Sequence, residues 1–91
     1  MRRDVAFFVP QGTTHRQIED TLAQSAGDWL ASIELFDVYA GPGTPEGMKS
    51  LAFALQFQHP ERTLTESEVQ AIQDRMVEAV AKECGGRLRE R

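Results

Sequence analysis

The sequence has one cysteine, no asparagine, only two histidines and no long hydrophobic run. With Cys84 alone, no intrachain disulfide can form, and a metal site built on paired cysteines is excluded. Sparse cysteine fits a reducing compartment. No apolar stretch approaches the roughly 20 residues that a membrane-spanning helix needs. Met1-Arg2-Arg3 begins like a signal peptide, but Asp4 interrupts it and a strand-like run comes next, so the expected location is cytoplasmic. Basic side chains are also short: ten Lys and Arg stand against fourteen Asp and Glu, a net charge of −4. A free-standing, non-specific binder of DNA or RNA draws its affinity from phosphate neutralisation and is usually basic. That class is disfavoured, and a role on RNA has to be local or supported by a larger assembly.

What is there is an ordinary small globular composition, 41% hydrophobic and 26% charged. A chain of 91 residues is read as one domain, 1–91, with a single modest core.

Asp4-Val5-Ala6-Phe7-Phe8-Val9 is rich in β-formers and stops at Pro10, which reads as a strand. Thr13 or Thr14 can cap a helix starting just after it. Ile18, Leu22, Ala26 and then Trp29 or Leu30 recur at helical spacing, predicting a first helix of about four turns, with Gly27 ending it or lying in its last turn. Ile33 to Ala40 reads as the second strand. Gly41 to Gly47 has no periodicity and reads as a loop. Lys49 to Gln58 alternates, with Leu51, Phe53, Leu55 and Phe57 on one face. His59-Pro60-Glu61-Arg62 is a second loop. Thr65 and Glu68 have the spacing of a capping box. Val69, Ile72, Met76, Val80 and Cys84 then make one apolar helical stripe, so Cys84 reads as a buried core thiol. Glu78 and Lys82 are spaced to pair on the opposite side. Gly85-Gly86 stops this helix, and Arg87-Leu88-Arg89 reads as a short last strand.

The order β-α-β-β-α-β is the ferredoxin-like split βαβ arrangement, an α+β fold. It predicts a four-stranded antiparallel sheet with two helices on one face and the other face open. Alternation assigns Val5, Phe7, Val9, Phe36, Val38 and Leu88 to the core. It leaves Ala6, Phe8, Asp37, Tyr39, Ser50, Ala52, Ala54, Gln56, Arg87 and Arg89 on the open face. Small residues beside an aromatic ring leave room for a flat base, which open-sheet RNA binders exploit by stacking and base-edge hydrogen bonds. Each residue also has a plainer reading. Tyr39 can be packing, Asp37 can start a turn, and Arg87, Arg89 and Arg91 can be a solvated tail.

Other chemistries fit less well. Gly41 to Ser50 lacks the spacing of a phosphate-binding loop and precedes a strand rather than a helix. Acylphosphatase catalysis on this fold uses an arginine and an asparagine, and asparagine is absent. His15 and His59 lie 44 positions apart with no ligand spacing, and read as surface residues. No Ser/His/Asp arrangement can be defended.

Leu35-Phe36-Asp37-Val38-Tyr39, Pro45-Glu46-Gly47, Lys49-Ser50-Leu51-Ala52-Phe53 and Pro60-Glu61-Arg62-Thr63-Leu64-Thr65 occur in that order. Over roughly Arg3 to Arg89, the chain resembles the ferredoxin-fold anticodon-binding domain that closes the bacterial phenylalanyl-tRNA synthetase β chain. The resemblance implies a non-catalytic domain that grips the anticodon of phenylalanine tRNA. It implies that Tyr39 stacks on a base, Asp37 bonds a base, Ser50 contributes a hydroxyl and Ala6 is the small residue of the first strand. The open-face arginines Arg87 and Arg89 are added as candidate phosphate contacts. The chain departs from the family at Met48 and Ala40, where relatives often carry basic or larger polar residues.

The resemblance further implies a parent enzyme of α and β chains, α2β2, that uses ATP and magnesium. This domain would hold neither cofactor nor metal. The chain is then a domain excised or detached from a longer protein, monomeric when isolated. The alternative is a small-ligand or protein-docking regulatory module of the same fold.

Overall fold

The computed structural model describes residues 1–89. Its elements are β1 (Arg2–Pro10), α1 (His15–Ala26), β2 (Leu30–Tyr39), β3 (Met48–Phe57), α2 (Glu66–Cys84) and β4 (Arg87–Leu88). The sheet order is β2-β3-β1-β4, and every pairing is antiparallel. This is the ferredoxin-like α+β arrangement expected from the element order. No helix among the described residues is long and apolar enough to cross a membrane.

Both helices begin in capping boxes. Thr14 accepts from the Gln17 N–H at 3.2 Å, and the Gln17 side chain accepts from the Thr14 N–H at 2.8 Å. Thr65 and Glu68 repeat the exchange on α2. Each box satisfies two helix-end donors that would otherwise lack partners. Glu68 also takes both terminal nitrogens of Arg62, one at 2.7 Å. The Arg62 guanidinium in turn lies 5.6 Å from the Trp29 ring centre. Arg62 therefore clamps the β3–α2 loop to the start of α2.

The core lies between the sheet and the helices. Phe7, Phe53, Phe57, Leu51 and Leu55 meet Ile18, Leu22, Val69, Met76 and Val80 there, all at 1% exposure or less. Full burial of side chains of this size stabilises by roughly 1.5–3 kcal/mol each. Leu64, at the end of the β3–α2 loop, joins this cluster. The α2 stripe leads into Gly85 at φ 67°, a left-handed cap that favours glycine. Gly86 is buried, and a Cβ there would lie 2.8 Å from Val80 Cγ1 and 3.0 Å from Val9 Cγ1. Glycine lets the chain leave α2 and cross to β4 against these two valines.

Several expectations are corrected. The first helix ends at Ala26, with Gly27 as its cap, so it is shorter than four turns. Trp29 lies beyond it, and Leu30 already belongs to β2. Cys84 is only half-buried, with Sγ 3.3 Å from Thr21 Oγ1. Glu78 and Lys82 form no ion pair; among the described residues the pairs are Arg2–Asp4, Arg16–Asp20 and Arg62–Glu68. His59 is half-buried, edge-on to Trp29 at 5.1 Å, and its Nδ1 accepts from the Glu61 N–H at 3.1 Å.

The largest correction concerns Phe36 and Val38, which are 51% and 57% exposed rather than core. For Phe36 the cause is a bulge. Leu35 pairs with Phe53 and Asp37 with Ala52, so Phe36 is an extra residue without a partner on β3. An inserted residue shifts the alternation of everything after it. Ile33 and Leu35 face the helices before the bulge, and only Val38 does after it. Val38 pairs with core-facing Leu51 but sits on an edge strand that leaves it half uncovered.

Candidate nucleic-acid interface

The strand register arranges the open face in rows. Tyr39, Ser50 and Phe8 form one row, with Arg87 opposite Phe8 on β4. Asp37, Ala52 and Ala6 form the next, and the Arg89 N–H donates to the Ala6 carbonyl at 2.7 Å. Glu34, Ala54 and Asp4 form the third. All six residues singled out by sequence, Tyr39, Asp37, Ser50, Ala6, Arg87 and Arg89, fall on these first two rows. Arg91 lies outside the described residues.

Tyr39 is 40% exposed, and its hydroxyl donates to the Pro42 carbonyl at 2.8 Å. The ring is thereby tied to the loop after β2 while part of it stays uncovered. A Cβ on Gly41 would approach the Tyr39 hydroxyl to 3.4 Å, so this loop passes close over the ring's edge. Asp37 is exposed and belongs to none of the ion pairs among the described residues. It sits within β2 opposite Ala52, so it does not start a turn. Its carboxylate is an acceptor with no donor of its own.

Ser50 faces the open side, yet it is only 3% exposed. Arg89 Nη1 donates to its Oγ at 3.4 Å. The hydroxyl therefore holds the arginine and is not offered directly to solvent. Arg87 and Arg89 both lie over the Phe8 ring, at 5.7 and 5.8 Å. Phe8 is thus a platform for two guanidinium groups, which brings two positive charges together on the open face of an acidic domain.

Two open-face residues escape the sequence reading. Strict alternation assigns Phe36 to the core, and a bulge interrupts that alternation; the adjacent apolar pair Leu35-Phe36 is the available signal. Asp4 shares the face with Ala6 two residues on, and its Oδ1 accepts from Arg2 Nε at 3.0 Å. Among the described residues, no three or more His, Cys, Asp or Glu side chains gather where they could hold a metal ion.

The arrangement can offer a flat ring for stacking, a carboxylate beside it with no ion-pair partner among the described residues, and two arginines within the same rows. Comparison with known proteins agrees with the fold and the strand order. The sequence profile of the Ferredoxin-fold anticodon binding domain matches residues 1–89. The phenylalanine–tRNA ligase β subunit of Bacillus licheniformis is 45% identical over 78 residues, 86% of this chain and 10% of the relative. That of Moorella thermoacetica is 42% identical over 90 residues, 99% of this chain and 11% of the relative. That of Thermotoga maritima is 40% identical over 89 residues, 98% and 11%. The chain spans about a tenth of the length of these relatives. With the profile covering it almost from end to end, the chain belongs to the ferredoxin-fold anticodon-binding domain family.

Proposed function

We propose that this chain is the anticodon-recognition domain of a phenylalanine–tRNA ligase β subunit, and that it binds the anticodon of phenylalanine tRNA on its open sheet face. The observation that carries the reading is the adjacency of half-exposed Tyr39 and exposed Asp37, one row apart beside the Arg89–Ser50 contact. Tyr39 would stack on one base. Asp37 would accept from a base N–H, such as those on a guanine edge. Ala6 and Ala52 keep the sheet low enough for a base to approach. Arg87 and Arg89 would meet phosphates, with Ser50 positioning Arg89.

In this reading the domain is non-catalytic. The parent would be a cytoplasmic α2β2 enzyme that uses ATP and magnesium elsewhere. The test is a titration of the isotope-labelled chain with a phenylalanine-tRNA anticodon stem-loop and with a loop carrying another anticodon. The amides of Tyr39, Asp37 and Ala52 should shift with the first and much less with the second.

One observation favours the docking-module alternative: Val38 is 57% exposed on the edge strand β2. Sizing separates the two, because edge-to-edge docking of this fold predicts a dimer and the RNA reading a monomer.

A further inference from the structure

Phe36 is an unusual residue to leave half in water. An isolated exposed apolar side chain needs no explanation, but three features coincide here. First, the bulge that exposes it is one extra residue inserted at that point, and bulges are used to re-aim a side chain. Second, the ring lines a groove of about 520 Å³ together with Ala6, Ala52, Asp4 and Arg89 of the open face. The groove also reaches Val5 and Leu88, which belong to the helix-facing side, and Gln73 of α2. Third, Phe36 precedes Asp37 and is three residues from Tyr39, so its ring stands along the same strand from the Tyr39 platform. The bulge sets Phe36 beside the Asp37–Ala52 row, and that row is one same-face step of roughly 7 Å from Tyr39. That step suits consecutive nucleotides held unstacked along a single strand.

From these features we infer that Phe36 is a second stacking platform, and that its groove takes the nucleobase next to the one on Tyr39. The inference rests on the RNA-binding reading above and extends it. A purine or pyrimidine ring would lie against the Phe36 face, over the methyl groups of Ala6 and Ala52. Arg89 at the rim supplies the positive charge that the adjoining phosphate requires, and this complementarity favours a nucleotide over an apolar partner. Asp4, already engaged by Arg2, makes that rim less favourable to a free anion than to a base with N–H donors. Stacking is tolerant of base identity, so the groove would contribute affinity more than discrimination. Discrimination would stay with Asp37.

The experiment uses the chain as it stands, the phenylalanine-tRNA anticodon stem-loop and a set of stem-loops with one abasic position each. Phe36→Ala is expected to weaken binding of the intact loop by about 5- to 150-fold, and Phe36→Trp to restore it. On the loop whose abasic position removes the base in this groove, Phe36→Ala is expected to have no further effect. Tyr39→Ala, run in parallel, should be silent on the neighbouring abasic loop instead. If Phe36→Ala binds every loop as the parent chain does while Tyr39→Ala does not, this inference falls and the anticodon reading stands. If Phe36→Ala instead changes the oligomeric state without changing RNA affinity, Phe36 is a protein contact and the inference falls. If the unsubstituted chain prefers no loop, the anticodon reading falls and takes this inference with it.

Discussion

The Tyr39 hydroxyl donates a hydrogen bond to the Pro42 carbonyl at 2.8 Å, which ties the exposed ring at the end of β2 to the loop beyond it. The bond gives the hydroxyl a task separate from stacking. Tyr39→Phe should keep most of the RNA affinity, because the ring remains. It should also speed amide exchange in Gly41–Gly47, because the tether is gone. Tyr39→Ala should weaken anticodon binding by about 1–3 kcal/mol. Hydrogen exchange of the free chain, beside binding isotherms, checks both. Unchanged exchange in Tyr39→Phe would mean that the loop is ordered without the tether.

Phe53 and Tyr39 lie on opposite faces of the sheet, and their truncations should differ accordingly. Phe53 is fully buried, and Phe53→Ala should cost roughly 3–5 kcal/mol of stability. Tyr39→Ala should cost about 1 kcal/mol or less. Urea melts give both values. Equal losses would make Tyr39 a packing residue.

Gly86 gives a second test of the core. Its ideal Cβ would fall 2.8 Å from Val80 Cγ1 and 3.0 Å from Val9 Cγ1. Gly86→Ala should therefore destabilise by about 1–3 kcal/mol through overpacking. Val80→Ala should cost less in the Gly86→Ala chain than in the unsubstituted chain, because it removes the closer methyl. Urea melts of the unsubstituted chain, both single variants and the double variant decide it, and a neutral Gly86→Ala would show that β4 shifts freely.

The Arg62–Glu68 clamp sets an acid response. Hydrogen bonding to Arg62 first, then to the Thr65 N–H, holds the Glu68 carboxyl down to about 2 from its usual 4.5. A carboxyl whose folded pKa is depressed stabilises the fold fully above its unfolded value. That contribution fades as pH falls toward the folded value. The window here runs from 4.5 down to about 2. Glu68 remains partly open to solvent, so the effect is screened and modest. Across that window the melting temperature of the parent chain should fall more steeply than that of Glu68→Gln. Parallel acid limbs in the two chains would leave the clamp without a role in stability.

Much of this fold is legible in local chemistry. The Leu51/Phe53/Leu55/Phe57 alternation defines the buried face of β3. Thr65 and Glu68 mark the start of α2, and Gly27 the end of α1. The less legible parts depend on contacts between distant segments. The bulge at Phe36 arises from how β2 pairs with β3, and only the doubled Leu35-Phe36 hints at it. Alternation puts Asp37 and Tyr39 on the open face correctly because both come after the bulge; it fails for Phe36 because Phe36 is the bulge. Ser50 takes the expected face, but it is buried there and its hydroxyl meets Arg89, 39 positions away. Cys84 continues the helical stripe of Val69 and Val80, yet lies at the last turn of α2, half-buried beside Thr21.

The central claim is that the open face reads the anticodon through Asp37 and Tyr39. Its most direct test is a pair of binding isotherms, cognate and non-cognate stem-loop, for the parent chain, Asp37→Asn, Tyr39→Ala and the double variant. The parent chain should prefer the phenylalanine anticodon. Its salt dependence should be shallow, since few phosphates can be met by a chain of net charge −4. Asp37→Asn should narrow the preference, because an amide donates where a carboxylate only accepts. Tyr39→Ala should lower affinity for both loops, and the double variant should lose the preference. Steep salt dependence without anticodon preference, or undiminished discrimination by the double variant, would contradict the account.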